Sequence, residues 1–174
     1  MGGLQMDALE ALMTRRSVRA YTGEPVSDDQ VRSILAAGMQ APSANNLQPW
    51  HFVVVRRRER MDSLAGVLPY GKMLGQAPLG IVVCADADLQ PRAGYWAQDC
   101  AAATQNILLA SHALGLGAVW IGVYPREVRV AALREVLSLP EPVTPLCAIA
   151  IGRPAEHPAP VDRFLPDRIH EEQW

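Results

Sequence analysis

Apolar residues recur at helical spacing over two stretches near the start of the chain. Leu4, Ala8, Leu9, Leu12 and Met13 predict an amphipathic helix running to about Thr14, where Arg15, Arg16 and Ser17 break the pattern. Val31, Ile34, Leu35 and Met39 predict a second helix, opened by Ser27 and Gln30 at capping-box spacing and closed before Pro42. The period then changes. His51 to Val55 and Leu79 to Cys84 are short branched runs, the pattern of buried strands in a sheet covered on both faces. Short helical pieces are predicted between them, over 58–65 and 72–76. From about Pro91 to Leu114 runs a long helix, apolar nearly all round, that belongs in a core or a subunit interface, with Gly115 as its C-cap. Residues 117–123 predict another strand, 125–137 a helix with Pro125 in its first turn, and 145–152 a last core strand. The tail, 153–174, is proline-rich with few periodic apolar positions, so it is either disordered or laid across another surface such as a second subunit.

Strands interleaved with helices of unequal length suggest an α+β fold more than a parallel doubly wound sheet. At 174 residues the chain is expected to form one domain with a full core. An apolar share of 49% with 20% charged residues puts it in the globular class. The net charge of -2 gives no pull toward nucleic acid or membrane partners. Cys84, Cys100 and Cys147 stand far apart in apolar runs, as reduced core thiols do, and Asp7 and Glu10 interrupt any leader-like stretch. The expectation is a cytoplasmic protein.

Candidate chemistry concentrates in a few segments. Arg15, Arg16 and Arg19 place three guanidinium groups within five residues, beside the Ser17 hydroxyl. Such a cluster cradles phosphate through bidentate charged bonds; a solvated basic turn capping the helix is the alternative. The loop from Ala41 to Trp50 sets Ser43, Asn45, Asn46 and Gln48 between two prolines, suited to the edge of a polar heterocycle or to an ordinary turn. Gly122 closes a strand, where a bare backbone admits a planar ligand or a bulge. Gly115-Leu116-Gly117 ends a helix and enters a strand, the reverse of a dinucleotide-binding turn. No nucleophile elbow, catalytic pair or metal-ligand spacing is present, and His51, His112, His157 and His170 read as structural or surface residues. Tyr95 and Trp96 are packing aromatics or the wall of a pocket.

Taken in order, Arg-Arg-Ser-Val-Arg at 15–19, Pro-Ser-Ala-Asn-Asn-Leu-Gln-Pro-Trp-His-Phe at 42–52 and Gly-Leu-Gly-Ala-Val-Trp-Ile-Gly at 115–122 resemble the nitroreductase family of flavin enzymes, in its short bacterial form. The resemblance spans nearly the whole chain. It implies a central mixed sheet flanked by helices, and an intertwined homodimer whose tail wraps on the partner with FMN in each interface cleft. Arg15, Arg16, Ser17 and Arg19 would contact phosphate, ribityl chain and pyrimidine edge, with Arg163 joining at the phosphate. Pro42, Ser43, Ala44 and Asn46 would come from the other subunit, Lys72 would lie by the pyrimidine edge, and the Gly122 amide would face N5 of the flavin. No catalytic side chain is then needed. The implied reaction is ping-pong, with NADH or NADPH as transient donor and a nitroaromatic, quinone or similar small molecule as acceptor. A flavin-binding protein without turnover, or a specialised member performing flavin fragmentation or reductive dehalogenation, stays open beside it. The chain departs from many members in having Ile121 where they have Glu, only Arg163 of a C-terminal basic pair, and no helical insertion over the flavin. The segment 86–96 is the candidate for the remaining wall of the cleft.

Overall fold

The computed structural model describes residues 6–91, 94–159 and 161–174. Leu4 in the first predicted helix, and residues 92 and 93 of the long helix and cleft wall, lie outside the described residues. Strands β1 (Trp50–Val55), β2 (Leu79–Asp86), β3 (Gly117–Gly122) and β4 (Val143–Gly152) form one sheet in the order β1-β2-β4-β3, antiparallel at every pairing. The parallel component of the mixed sheet is confined to a bridge between Ser17 and Ala118.

Alternation in the central strands fixes three layers, because successive side chains leave a strand on opposite faces. Ile81 and Val83 of β2, with Ile149 and Ile151 of β4, meet α2 (Asp28–Met39) and α4 (Tyr95–Ala113) through Ile34, Ala103 and Ile107. Val82 and Cys84, with Ala148 and Ala150, meet α3 (Arg58–Val67) and α5 (Glu127–Leu137) through Met61, Leu64 and Leu133. The Ser27–Gln30 capping box opens α2 as its spacing predicts. Gly115 takes φ +74° just past α4, and Leu116 N–H returns to the Ser111 carbonyl, the helix stop that glycine permits.

Several boundaries differ from the sequence reading. β1 is an edge strand, half exposed at His51 and Val54, whereas β2 is buried from Leu79 to Ala85. The long helix starts at Tyr95, because Gly94 with φ +87° breaks the chain before it. Pro125 precedes α5, whose N-cap is Arg126. Pro145 sits inside β4 at the register shift opposite Val83 and Cys84, a bulge where a proline costs no ladder bond.

The segment after α1 (Ala8–Thr14) runs extended along the outer edge of β3. Val18 N–H donates to the Ala118 carbonyl at 3.0 Å, Tyr21 bridges Pro154, and the Tyr21 hydroxyl donates its one proton to the Val18 carbonyl at 2.6 Å with the Ala150 carbonyl 3.1 Å away. This close approach needs Gly117, since a Cβ there would stand 2.6 Å from a Val18 methyl.

Gly117→Ala is therefore expected to destabilise the protein by about 1–3 kcal/mol through overpacking. Urea unfolding measures it, and an unchanged midpoint would contradict the contact. Burial pushes the Cys84 and Cys147 thiols up to about 12 and raises Cys100 as well. At pH 8 only about one in ten thousand of the first two is thiolate. Iodoacetamide should leave all three unmodified in the native protein and label them on denaturation; native labelling at the rate of a free thiol would refute this.

Candidate functional site

At the end of α1 the chain turns so that three arginines converge. Arg16 is spent on backbone carbonyls: Nε donates to Ala159 at 3.2 Å, Nη2 to Val161 at 3.2 Å, and Nη1 to Arg15 and Met13 at 2.7 and 3.1 Å. It thereby straps the tail against the start of the molecule. That strap brings Arg163 beside Arg15, the two sharing the wall of a hollow of about 270 Å³. Arg15 is half-buried, and burial first, then the charges of Arg163 and Arg16, hold its guanidinium below its ordinary value. None of the three is in an ion pair among the described residues. Two half-buried guanidinium groups and the exposed Arg163 beside them, mutually repelling and in no ion pair among the described residues, are complementary to an anion.

From this corner the extended segment leads along β3. The backbone N–H groups of Arg19 and Ala20 donate to one Glu156 oxygen at 2.6 and 3.3 Å, leaving the Arg19 side chain exposed. Ser17 is half-buried at the bridge to Ala118. Five residues beyond Gly117, roughly 16 Å at the strand rise, lies Gly122. It is exposed, and a Cβ there would meet nothing within 4 Å, so packing does not require glycine at this position. Ile121 before it is buried in the core. Arg129 Nη1 donates to the Gly122 carbonyl at 2.9 Å, and its guanidinium lies 5.4 Å from the centre of the Tyr70 ring. Through Arg129 the end of β3 is tied to the turn that carries Lys72, which is exposed. Trp96 meets Tyr124 edge-on, centroids 4.6 Å apart, closing the same end.

The family model described as Nitroreductase family matches residues 12–153. The chain belongs to the nitroreductase family. A relative from Methanothermobacter thermautotrophicus, provisionally named an NADH dehydrogenase/NAD(P)H nitroreductase, is 52% identical over 98% of this chain and 89% of its own length. A protein of the same provisional name from Bacteroides thetaiotaomicron has a solved structure similar to this one at TM-score 0.91 and 45% identity, over 96% of this chain and 98% of that one. A provisional nitroreductase from Desulfovibrio desulfuricans, solved in complex with FMN, is similar at TM-score 0.85 and 40% identity, over 96% and 97% of the two chains.

In this nitroreductase-family chain the loop with Pro42, Ser43, Ala44 and Asn46 lies at the N-terminal end of α4, whereas Arg15 lies at its C-terminal end, beside His112. Thirteen residues of helix, roughly 20 Å, separate Asp99 from His112. The single chain thus brings Ser17 and Arg19 to Arg15, Arg16 and Arg163, and sets the proline-bounded loop apart from them. Asn45, Asn46 and Gln48 all take positive φ, at 54°, 56° and 49°. Asn tolerates that region through its short polar side chain, and such clusters mark loops held by their surroundings.

What holds this loop is a residue the sequence reading passed over. Asp99, 5% exposed on a buried helix face that otherwise carries no charge, accepts the Ala44 N–H at 2.9 Å and the Gln90 Nε2 at 3.2 Å. Gln90 is 2% exposed, and its Oε1 has no partner among the described residues. One acid amid alanines was the only signal available. Arg129 was also passed over, and His112 was read as a structural or surface residue, because each acts through a partner distant in the pattern of the chain. Asp99→Ala leaves the half-buried Ala44 N–H without its acceptor and Gln90 Nε2 with only the Ala44 carbonyl at 3.4 Å, and is expected to cost about 1–3 kcal/mol. Urea unfolding checks the loss, and hydrogen exchange should localise it to 43–48; protection unchanged there would refute the assignment.

Proposed function

We propose that this chain is an NAD(P)H oxidoreductase that uses FMN and reduces a nitroaromatic, quinone or similar small acceptor. The observation that carries it is the half-buried Arg15 set beside Arg163 and Arg16 with none of the three in an ion pair among the described residues. A phosphate monoester fits this corner, since two guanidinium groups can each offer it paired donors. FMN, when bound, supplies the electron carrier between a nicotinamide donor and the acceptor.

The residues divide the remaining work. Arg15 and Arg163 hold the phosphate, while Arg16 fixes the tail that presents Arg163. Ser17 and Arg19 serve the ribityl chain and pyrimidine edge, and Lys72 adds positive charge at that edge, which favours the gain of electrons there. The amide of Gly122 faces the reacting edge with no side chain in the way, and Ile121 anchors it in the core. No side chain is required to move a proton in the redox step. Donor and acceptor therefore share one open face in turn.

The chain acts as one domain, residues 1–174, in a homodimer. Exposed Phe164, Leu165, Ile169 and Trp174 on the tail support packing on a second copy, as does an apolar groove of about 560 Å³ between α1, α2 and α4. The distance between Arg15 and the Pro42–Asn46 loop supports the loop serving the partner's cofactor. Buried free thiols suit the reducing cytoplasm.

The purified protein should be yellow, and NADH or NADPH should bleach its flavin band under anaerobic conditions. Protein that takes up no FMN ends this reading; bound FMN that stays oxidised reduces it to a flavin carrier. Arg15→Ala and Arg163→Ala should each weaken FMN binding by about 1.5–3 kcal/mol, roughly tenfold to a hundredfold in Kd by flavin fluorescence. Unchanged retention in both variants would refute the phosphate assignment.

A further inference from the structure

His112 closes the last turn of α4 and shares with Arg15 and Arg16 a second hollow of about 270 Å³. Its ring is held in one tautomer. The Thr14 hydroxyl donates its only proton to the Glu10 carbonyl at 2.6 Å, so at 2.8 Å from His112 Nε2 it can only accept. Nε2 therefore carries the hydrogen, and Nδ1 of the neutral ring is bare.

The groups around the ring oppose one another. Glu10 on α1 and the negative end of α4 draw the ring toward the cation. Burial first, then Arg15, with Arg16 a smaller contributor, holds it below the ordinary histidine value. From the segment after β4 come Glu156, already accepting the Arg19 and Ala20 N–H groups, and His157. What disfavours the ring's cation is thus, after burial, the charge of Arg15. An anion settling on Arg15 removes that repulsion.

We infer that His112 is a proton-binding member of the anion corner: when a phosphate monoester dianion settles against Arg15, His112 Nδ1 takes one proton from solvent and keeps it while the complex lasts. One proton is consumed per complex formed, no bond to phosphorus changes, and the Thr14 hydrogen bond is retained. The identity of the phosphate as that of FMN rests on the function proposed above; the proton uptake rests on the corner itself. Because the complex holds the proton more tightly, the extra affinity is present below the midpoint of the free ring. It is lost as pH rises through the midpoint of the complex.

The test follows the imidazole resonances of the full-chain protein stripped of flavin, with His112→Gln identifying the His112 signal and its amide nitrogen still able to donate to Thr14. Titrations are run on the free protein and with riboflavin, inorganic phosphate and FMN. Phosphate and FMN should raise the His112 midpoint by half a unit or more, and riboflavin should not. Such a shift corresponds to roughly threefold in affinity. FMN should accordingly bind more tightly at pH 6.5 than at pH 7.5, by under about twofold for a half-unit shift from a free midpoint below the ordinary value, relative to the same ratio in His112→Gln. That comparison cancels the phosphate's own titration near pH 6. FMN bound with its fluorescence quenched but the His112 midpoint unmoved overturns the inference and leaves the cofactor reading intact. A midpoint raised by phosphate in a protein that binds no FMN does the reverse. No response to either ligand overturns both.

Discussion

The contact on which the site depends is the seating of Val18 on the bare backbone of Gly117. It brings a loop-like segment within hydrogen-bonding distance of β3 and buries Val18 and Tyr21 in the same cluster as Leu133 and Ala150. With Val18 committed inward, its neighbours Ser17, half-buried, and Arg19, exposed, are left on the other side. Arg15 and Arg16 stand at the end of the ladder, where α1 delivers them. A cationic corner on an unsupported loop would spread its charges apart. Here the sheet edge holds Arg15 and Arg16 in place, and their repulsion is what the proposed phosphate relieves.

The helix α4 organises the other half of the arrangement. Its C-terminal end carries His112 to the arginines, and its N-terminal end carries Asp99 to the proline-bounded loop and Trp96 to Tyr124. The arginine corner and the proline-bounded loop are thereby referenced to one rigid element, and small displacements at one end are not absorbed by slack at the other. The nitroreductase-type reaction asks for this kind of precision in place of acid or base chemistry, since donor and acceptor must present themselves to the same face.

Much of this was legible in the sequence. The Ser27–Gln30 capping box, the run from Leu79 to Cys84 and the glycine after the long helix are local signals, and each produced the element it predicts. β1 was misjudged because His-Phe-Val-Val-Val looks alike at the edge or centre of a sheet; strand order is a long-range property. Pro145 was taken as the start of a strand because its bulge exists only relative to β2. At the site, clustered charges were visible by counting. The strap of Arg16 onto residues 159 and 161 was not, and neither was the acid beneath the loop, since each joins segments tens of residues apart.

The strap of Arg16 has a consequence for how the molecule opens. One side chain hydrogen-bonds the end of α1 and two carbonyls of the tail, so neither terminus can fray at that corner without disturbing the other. The beginning and the end of the chain behave there as a single cooperative unit. A ligand resting against Arg15 and Arg163, as proposed above, would clasp the end of α1 to the tail.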